Sequence, residues 1–366
     1  MKVKYLILAV VIVLSASSSF GQAPKYSNEF LSVGTGARAF GMAHAVVATT
    51  TDVTSGYWNP AGLLTIEGDI EIAMMHSSYF AGIAKYDYGS IAAKIDATST
   101  AGFTFLRFGV DDIPDTSELI DEEGNVNYDR IKSFSAADYG FLFSYGRKSK
   151  IEGLDYGANV KIIHRKVGDF AKAWGFGLDA GVKYKLKNWR FAAMGRDITS
   201  TFNAWSFSLS DRVKEVWTLT GNEIPENSLE VSLPRVLLGA ARLFTINDDW
   251  TILPEIDLDI TTDGKRNVLI KGNPFSIDPH LGFEVSYKGI AYLRGGVGNI
   301  QKEPAQEGGF VTTFQPNAGI GVVIKKRFSI DYALTDIGNV SGAPYSNVFS
   351  LKVNFTRAGP ASATGY

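Results

Sequence analysis

Apolar and polar residues alternate along much of the chain. From Trp174 the sequence WGFGLDAGVKYKL places an apolar side chain at every second position, with glycine, aspartate and lysine between them. The same period of two recurs in LGFEVSY from Leu281, RFSIDYAL from Arg327 and NVFSLKVNF from Asn347. This period predicts β-strands, because successive side chains of a strand point to opposite faces. One uniformly apolar face with aromatics near its ends, opposite a face of glycines and charges, is typical of strands that separate lipid from a polar lumen.

Segments of this kind recur through the chain, and about fourteen can be counted, an even number as expected for a closed bacterial barrel. They begin near Ile66, Gly89, Thr100, Asp138, Leu154, Ala173, Trp189, Leu233, Trp250, Pro279, Gly289, Phe314, Arg327 and Tyr345. Lipid offers no partner for an unpaired strand edge, so a membrane-spanning sheet has to close on itself. The predicted fold is therefore all-β: a transmembrane up-and-down outer-membrane β-barrel of about 14 strands.

The links between these segments alternate in length, apart from the first pair. The short links are 97–98, 147–153, 187–188, 245–249, 288–289 and 325–326, and the long ones are 109–136, 167–172, 198–232, 261–277, 299–313 and 337–344. Outer-membrane barrels have this layout, with tight periplasmic turns and long external loops. A soluble β-sandwich also shows alternating strands, but it has no reason to alternate its loops in this way.

The first 21 residues have the features of a signal peptide. Lys2 and Lys4 precede an apolar run over 5–14, and the small residues Ser19 and Gly21 flank Phe20 before Gln22. The run is too short to cross a bilayer, and no later stretch approaches the ~18 apolar residues of a spanning helix. Export leaves two destinations, a secreted β-protein or an outer-membrane barrel, and the strand and loop patterns favour the outer membrane. Residues 356–366 are predicted to be a C-terminal tail.

Composition excludes several classes of function. The 366 residues carry a net charge of −2 and no basic cluster interleaved with aromatics, which argues against a nucleic-acid partner. The absence of cysteine excludes disulfides, thiolate zinc sites and a lipid-anchored N-terminal cysteine. No G-x-S-x-G motif occurs, and no histidine stands in a recognisable pattern with a serine and an acid. We therefore expect no catalytic residues, metal or cofactor, and a protein that is not an enzyme.

The segment before the first strand is rich in glycine, alanine and threonine. Gly34, Gly36 and Gly41 do not have the G-x-G-x-x-G spacing of a dinucleotide site, and no βαβ unit surrounds them. A short helix is predicted after Asp52, capped by Thr50 or Thr51 and ended by the residue before a proline. The sequence thus predicts a compact plug inside a larger structure.

Within this segment, the run Trp58-Asn59-Pro60-Ala61-Gly62-Leu63 follows Gly36-Ala37-Arg38-Ala39-Phe40-Gly41-Met42. Together with the strand number, these residues resemble the N-terminal region of FadL-like outer-membrane proteins and, more closely, the PorV/PorQ family. The resemblance implies a fourteen-stranded barrel with an N-terminal hatch over 30–64. It divides the chain into a signal peptide (1–21), a plug (22–65), the barrel (66–355) and the tail. The plug motif is then Arg38, Trp58, Asn59, Pro60, Ala61 and Gly62.

Arg38 is the one charged residue in the glycine-rich part of the plug. The predicted lumen faces supply carboxylates at Asp179, Glu255, Asp257, Asp259, Glu284 and Asp331. Two arrangements are open: a guanidinium pinned among inward carboxylates, or one solvated in a wet pore.

Two of the long links have unusual compositions. Link 109–136 is acidic; a calcium site is conceivable there, but the spacing does not match an EF-hand, and a solvated surface loop is the default. Link 198–232 is too apolar for an idle external loop, and we single out Trp205, Phe207 and Trp217 as its partner or ligand residues. It either folds over the barrel mouth or presents an apolar patch to a partner.

Two functions remain. By resemblance to PorV, the barrel would be a protein-interaction component of type IX secretion, binding exported cargo or secretion machinery at its external rim while the N-terminus plugs the pore. Alternatively, it is a FadL-like outer-membrane channel for hydrophobic compounds. The charged lumen favours the first function slightly, since an apolar route would want leucine and phenylalanine. Inward positions such as Leu142, Ile163, Leu237, Leu253 and Val323 keep the second open.

Overall fold

The structure is a computed structural model that describes residues 27–79, 82–120, 125–304, 308–338 and 346–356. The predicted signal peptide, residues 22–26 of the predicted plug and residues 357–366 of the predicted tail lie outside the described residues. Among the residues that are described, no helix has the length and apolar character needed to cross a bilayer.

The described chain contains seventeen β-strands in one antiparallel sheet. The first eight are β1 (Ile70–Tyr79), β2 (Ala84–Lys94), β3 (Ser99–Asp115), β4 (Lys132–Lys148), β5 (Leu154–Val167), β6 (Ala171–Leu186), β7 (Trp189–Arg196) and β8 (Thr201–Phe207). The others are β9 (Ser228–Ser232), β10 (Arg235–Arg242), β11 (Phe244–Thr245), β12 (Trp250–Thr261), β13 (Ser276–Tyr287), β14 (Ala291–Pro304), β15 (Phe310–Ile324), β16 (Phe328–Thr335) and β17 (Ser346–Phe355).

These segments make a closed wall of fourteen strands. Strands β7 and β8 pair in turn with β6 and form one wall strand, interrupted where Asp197 and Ser200 adopt left-handed conformations. Strands β9, β10 and β11 similarly follow one another as the next wall strand. The sheet closes where β1 pairs with β17, with Ile70 opposite Phe355. The predicted fold class is confirmed.

The two faces of the wall differ as the alternation predicts. On β6, Trp174 and Phe176 are exposed by half or more, whereas their neighbours Ala173 and Gly177 are buried. Phe283 is likewise 45% exposed while Glu284 beside it is buried. Contiguous exposed apolar surface of this extent requires a lipid-like environment. Aromatic pairs lie near the strand ends, for example Trp189 with Phe191 and Trp250 with Tyr287.

All six predicted short links join consecutive strands, and we assign that end to the periplasm by the usual layout of such barrels. Five of the six long links are shorter than predicted, because the strand ladders continue above the apolar belt. The sixth, link 337–344, is slightly longer and extends over 336–345. Link 109–136 shrinks to 116–131, link 167–172 to the turn 168–170, and link 299–313 to 305–309. The prediction of a loop over 198–232 was wrong near both of its ends, where the chain forms strands β8 and β9. Between them, residues 208–227 carry helix α3 (Asp211–Leu219).

Residues 29–66 fill the lumen. They form a 3₁₀ turn (Glu29–Ser32), helix α1 (Ala37–Gly41), helix α2 (Ser55–Trp58) and a second 3₁₀ helix (Pro60–Thr65). Their apolar side chains pack in one buried cluster with inward residues of the wall, including Tyr86, Leu106 and Met194.

The predicted helix cap was wrong. Helix α2 begins after Thr54, and the Thr50 hydroxyl instead donates a hydrogen bond to the Val46 carbonyl 2.6 Å away. The predicted stop at Pro60 is confirmed, because Asn59 before it is extended, with φ −164° and ψ 107°. Pro60 then opens the second 3₁₀ helix, with the Asn59 side chain accepting a bond from the Ala61 amide.

Lumen-facing glycines of the wall let the plug backbone approach closely. A Cβ atom on Gly296 would lie 2.4 Å from the Met42 carbonyl carbon, and one on Gly157 would lie 2.5 Å from the carbonyl carbon of Pro60. Such distances are far below van der Waals contact, so no larger residue fits without displacing the plug. The glycines of the polar strand faces therefore have a packing role.

Candidate functional site

An apolar groove of about 1070 Å³ lies at the external end of the barrel. We call it the external groove. It is formed by helix α3 together with the external ends of β3, β4, β5, β6, β8 and β9. The apolar residues Leu119, Phe134, Phe170, Leu209, Val216 and Leu229 line it, together with Trp205, Phe207 and Trp217. The three aromatics singled out from the sequence thus share one concave surface, although they come from a strand and a helix.

Helix α3 forms one wall of the groove because its apolar residues recur at helical spacing. Val213, Val216 and Trp217 lie on one face, since residues three and four apart are neighbours on a helix. Ser210 caps the helix by accepting a hydrogen bond from the Val213 amide at 3.2 Å. The side chain of Leu219, by contrast, points away and is 77% exposed.

Trp205 is held in place by a polar cluster at the floor of the groove. Its indole Nε1 donates to Glu230 at 2.7 Å, and the Arg165 guanidinium lies 5.0 Å from its ring centre. Arg165 in turn contacts Glu230 at 3.3 Å and Asp138 at 2.7 Å. With its polar edge satisfied, Trp205 stacks on Phe207 at 6.1 Å and offers an ordered aromatic surface.

Below this floor the barrel interior becomes polar. Asn203 donates to Asn28 at 3.0 Å, and Asn28 donates to Ser232 at 2.7 Å, which ties the start of the described plug to β8 and β9. Lys161 is buried between Asp179 at 2.7 Å and Asp197 at 2.5 Å. Apart from Asn203, these residues line a small cavity of about 50 Å³. The external groove is therefore separated from the lower lumen by a polar layer.

The plug is anchored on two neighbouring carboxylates of β12. Asp257 accepts hydrogen bonds from the backbone amides of Val46 and Val47, both at 2.8 Å. Glu255 accepts the amide of Ala48 at 2.7 Å and also the hydroxyl of Thr49. Both carboxyl groups are buried, so water does not compete for these bonds. The sequence placed both acids in the lumen but held no sign that backbone amides would be their partners.

Arg38 takes the first of its two predicted arrangements. Its guanidinium contacts Glu284 at 2.9 Å and also donates to Thr49 at 3.1 Å. Glu284 is shared with Arg294 at 2.7 Å, and Arg294 reaches Asp331 at 2.6 Å. Burial by itself lowers the pKa of Arg38, but Glu284 outweighs burial and the pKa is raised above its usual range. The cation is thus fixed within a buried network.

The rest of the predicted plug motif also contacts its surroundings. Trp58 donates its indole N–H to the Thr35 carbonyl at 2.9 Å, and Asn59 donates to the Val182 carbonyl of the wall at 3.1 Å. Pro60 and Ala61 lie against Gly157 of β5. At Gly62, a Cβ would lie 2.6 Å from the Thr50 carbonyl oxygen. These residues are positioned to pack and fasten the plug.

The structure assigns the two ends of the acidic link 109–136 to strands β3 and β4 and leaves 116–131 as the loop. Asp111 lies on β3 and pairs with Arg107 at 3.0 Å and Lys85 at 3.5 Å. Within the described ranges, no group of three histidine or acidic side chains could hold a metal ion. Residues 121–124 of this link lie outside the described residues.

The fold is similar to that of FadL-type outer-membrane channels. The CymD monoaromatic hydrocarbon channel matches with a TM-score of 0.55 and 12% identity, over 89% of this chain and 98% of that one. The toluene transporter TbuX of Ralstonia pickettii matches at 0.52 and 13%, over 88% and 98%. A FadL homologue of Pseudomonas aeruginosa matches at 0.51 and 12%, over 87% and 97%. No family model and no curated protein matches the chain. The architecture is thus FadL-like, while the PorV/PorQ resemblance stays a prediction.

Proposed function

We propose that this protein is an outer-membrane channel that takes up small, predominantly apolar molecules, and that the external groove captures them. The groove itself is the observation that carries the proposal. Its volume of about 1070 Å³ suits a small organic ligand, and its walls are mostly apolar and aromatic. An exposed apolar surface of this kind at the outer rim is typical of a binding site.

The FadL-like architecture supports a channel. The neighbours compared above are described as a monoaromatic hydrocarbon channel and a toluene transporter, and the ring-lined groove suits ligands of that chemistry. Outer-membrane localisation follows from the apolar belt of the wall. In this proposal the protein transports its ligand and does not transform it.

The charged lumen does not argue against a channel as strongly as the sequence indicated. Glu255 and Glu284 bind the plug, and Asp257 binds it through one of its two carboxyl oxygens, so these residues serve to fasten the plug. A continuous path through the lumen would open only when the plug is displaced. The charged lumen therefore gives little reason to prefer a protein-interaction role.

The type IX secretion role, with cargo or machinery at the external rim, rests on the plug motif alone. Neither the fold comparison nor the sequence comparisons support it directly. A protein segment would occupy the same groove, so substitutions in the groove test both roles in one experiment.

The test is to replace Trp205, Phe207 and Trp217 together with serine in the purified, detergent-solubilised barrel. Binding of butylbenzene, measured by equilibrium dialysis, should weaken at least tenfold, about 1.4 kcal/mol, because three ring contacts are lost. Leu219→Ser is the matched control, since Leu219 lies on the same helix but is exposed.

Unchanged butylbenzene binding in the triple variant would contradict the proposal. The secretion role would be favoured by two results together. The wild-type barrel would bind no hydrocarbon, and an exported protein that co-purifies with wild type would be lost from the triple variant.

A further inference from the structure

A second cavity, of about 440 Å³, lies in the lumen above the plug. We call it the lumenal cavity. Plug residues Ala43, His44 and Trp58 bound it on one side, and strands β10 and β12–β15 on the other. It adjoins the small cavity below the external groove, because Arg196, Arg235 and other residues line both. A molecule descending from the groove would reach this space before it met the plug anchor.

The lumenal cavity carries carboxylate oxygens that receive no hydrogen bond. The Oδ1 atoms of Asp257 and Asp278 are buried, and no donor of the described chain reaches either. Asp257 is only 2% exposed and lies beside a second carboxylate, Glu255. Asp278 has one nearby ring nitrogen, His280 Nε2, at 3.7 Å from its other oxygen.

The cations around the cavity are engaged elsewhere. Arg235 lies 3.4 Å from Asp259, and Arg266 contacts Asp263 at 2.6 Å and Glu29 at 2.9 Å. Arg196 faces the plug: its guanidinium lies 4.4 Å from the ring centre of Tyr57, and it donates to plug carbonyls.

His44 does not neutralise the carboxylates either. Burial, followed by His280 and Arg196, lowers the pKa of His44 to about 3, so its imidazole is neutral near pH 7. His280 Nδ1 lies 2.9 Å from the Ala43 carbonyl, which fixes that nitrogen as the donor of the bond.

Building on the proposed channel, we propose that the lumenal cavity selects amphiphiles with a protonated amine over hydrocarbons and over carboxylic acids of the same skeleton. Any occupant displaces the water that would otherwise solvate Asp257 and Asp278. A hydrocarbon would leave these acceptors unpaired, which costs roughly 5- to 150-fold in affinity for each. A carboxylate would add repulsion. An ammonium group supplies three donors, and its charge favours the ionised form of both carboxyl groups.

The walls fit the rest of such a molecule. Trp58, Leu237 and Val268 line the same cavity and offer aromatic and aliphatic surface. The volume lies in the range of small-ligand pockets. The external groove and the lumenal cavity would then act in series, the first recognising the apolar body and the second the head group.

The experiment compares phenylbutylamine, butylbenzene and phenylbutyrate on the full-length barrel by equilibrium dialysis. Asp278→Asn is the informative variant, because it removes one charge with little change of shape and Asp278 makes no bond to the plug anchor. Asp249→Asn, in an exposed periplasmic turn, is the matched control. We expect wild type to bind the amine at least tenfold more tightly than the other two probes. Asp278→Asn should weaken amine binding at least fivefold and leave butylbenzene unchanged.

Butylbenzene or phenylbutyrate binding as tightly as the amine would overturn this inference while leaving the channel proposal intact. So would equal amine binding by wild type and Asp278→Asn. Absence of binding for all three probes would overturn the channel proposal as well.

Discussion

The two β12 carboxylates should determine how firmly the plug stays closed. Replacing Glu255 and Asp257 together with alanine removes four hydrogen bonds from residues 46–49. Each bond contributes about 0.5 kcal/mol, the low end of the net range, because the two neighbouring carboxyl groups also disfavour each other. The four bonds together contribute about 2 kcal/mol, roughly 30-fold in the local opening equilibrium.

Hydrogen–deuterium exchange of the peptide that contains Val46, Val47 and Ala48 measures this opening directly. The double variant should exchange these amides about 30-fold faster than wild type, because exchange follows the local opening equilibrium. Asp249→Ala, which removes an exposed carboxylate far from the plug, should leave the rate unchanged. Equal protection of the three amides in wild type and the double variant would show that β12 does not anchor the plug.

Three further predictions concern the wall and the plug. Phe283→Arg on the lipid face should destabilise the barrel by about 2–4 kcal/mol in vesicle refolding; Phe283→Leu should be nearly neutral, and equal loss in both variants would refute the membrane assignment. Gly296→Val should displace the Met42 backbone and raise ion conductance in planar bilayers, whereas Gly89→Val, with open space around it, should not. Burial raises the pKa of Asp52, but Lys352 (3.2 Å away), Thr54 and Arg38 together lower it to about 2. The stabilisation of the plug by ionised Asp52 is complete above the pKa of the unfolded chain, near 3.8, and is lost as the pH falls toward 2. Plug proteolysis should therefore increase over that interval, less so in Asp52→Asn; a flat profile in wild type would refute the ion pair's role.

The strands of the wall could be predicted from the sequence because lipid imposes the strict period of two. Above the apolar belt that constraint ends, and the ladder of β3 and β4 continues through an irregular register between Val110 and Ile113. Those residues lack the strand pattern in the sequence, so the predicted link 109–136 is longer than the observed link 116–131. The interruption at Asp197–Ser200 similarly concealed β8.

The site was less predictable, because its partners are distant in sequence. The apolar composition of link 198–232 indicated Trp205, Phe207 and Trp217. Phe134 on β4 and Phe170 in the turn 168–170 complete the external groove and carry no local sign of it. Plug fastening depends on backbone amides and on glycines at lumen positions, and a sequence pattern records neither kind of contact.

The central claim, that the external groove admits apolar molecules, is tested most directly by uptake into intact cells. Cells lacking the native protein would carry either the wild-type barrel or the Trp205→Ser, Phe207→Ser, Trp217→Ser variant at equal outer-membrane levels. The initial rate of labelled butylbenzene accumulation is then compared. The structure predicts that the variant takes up butylbenzene no faster than cells without the protein. Uptake at the wild-type rate through the triple variant would contradict the claim.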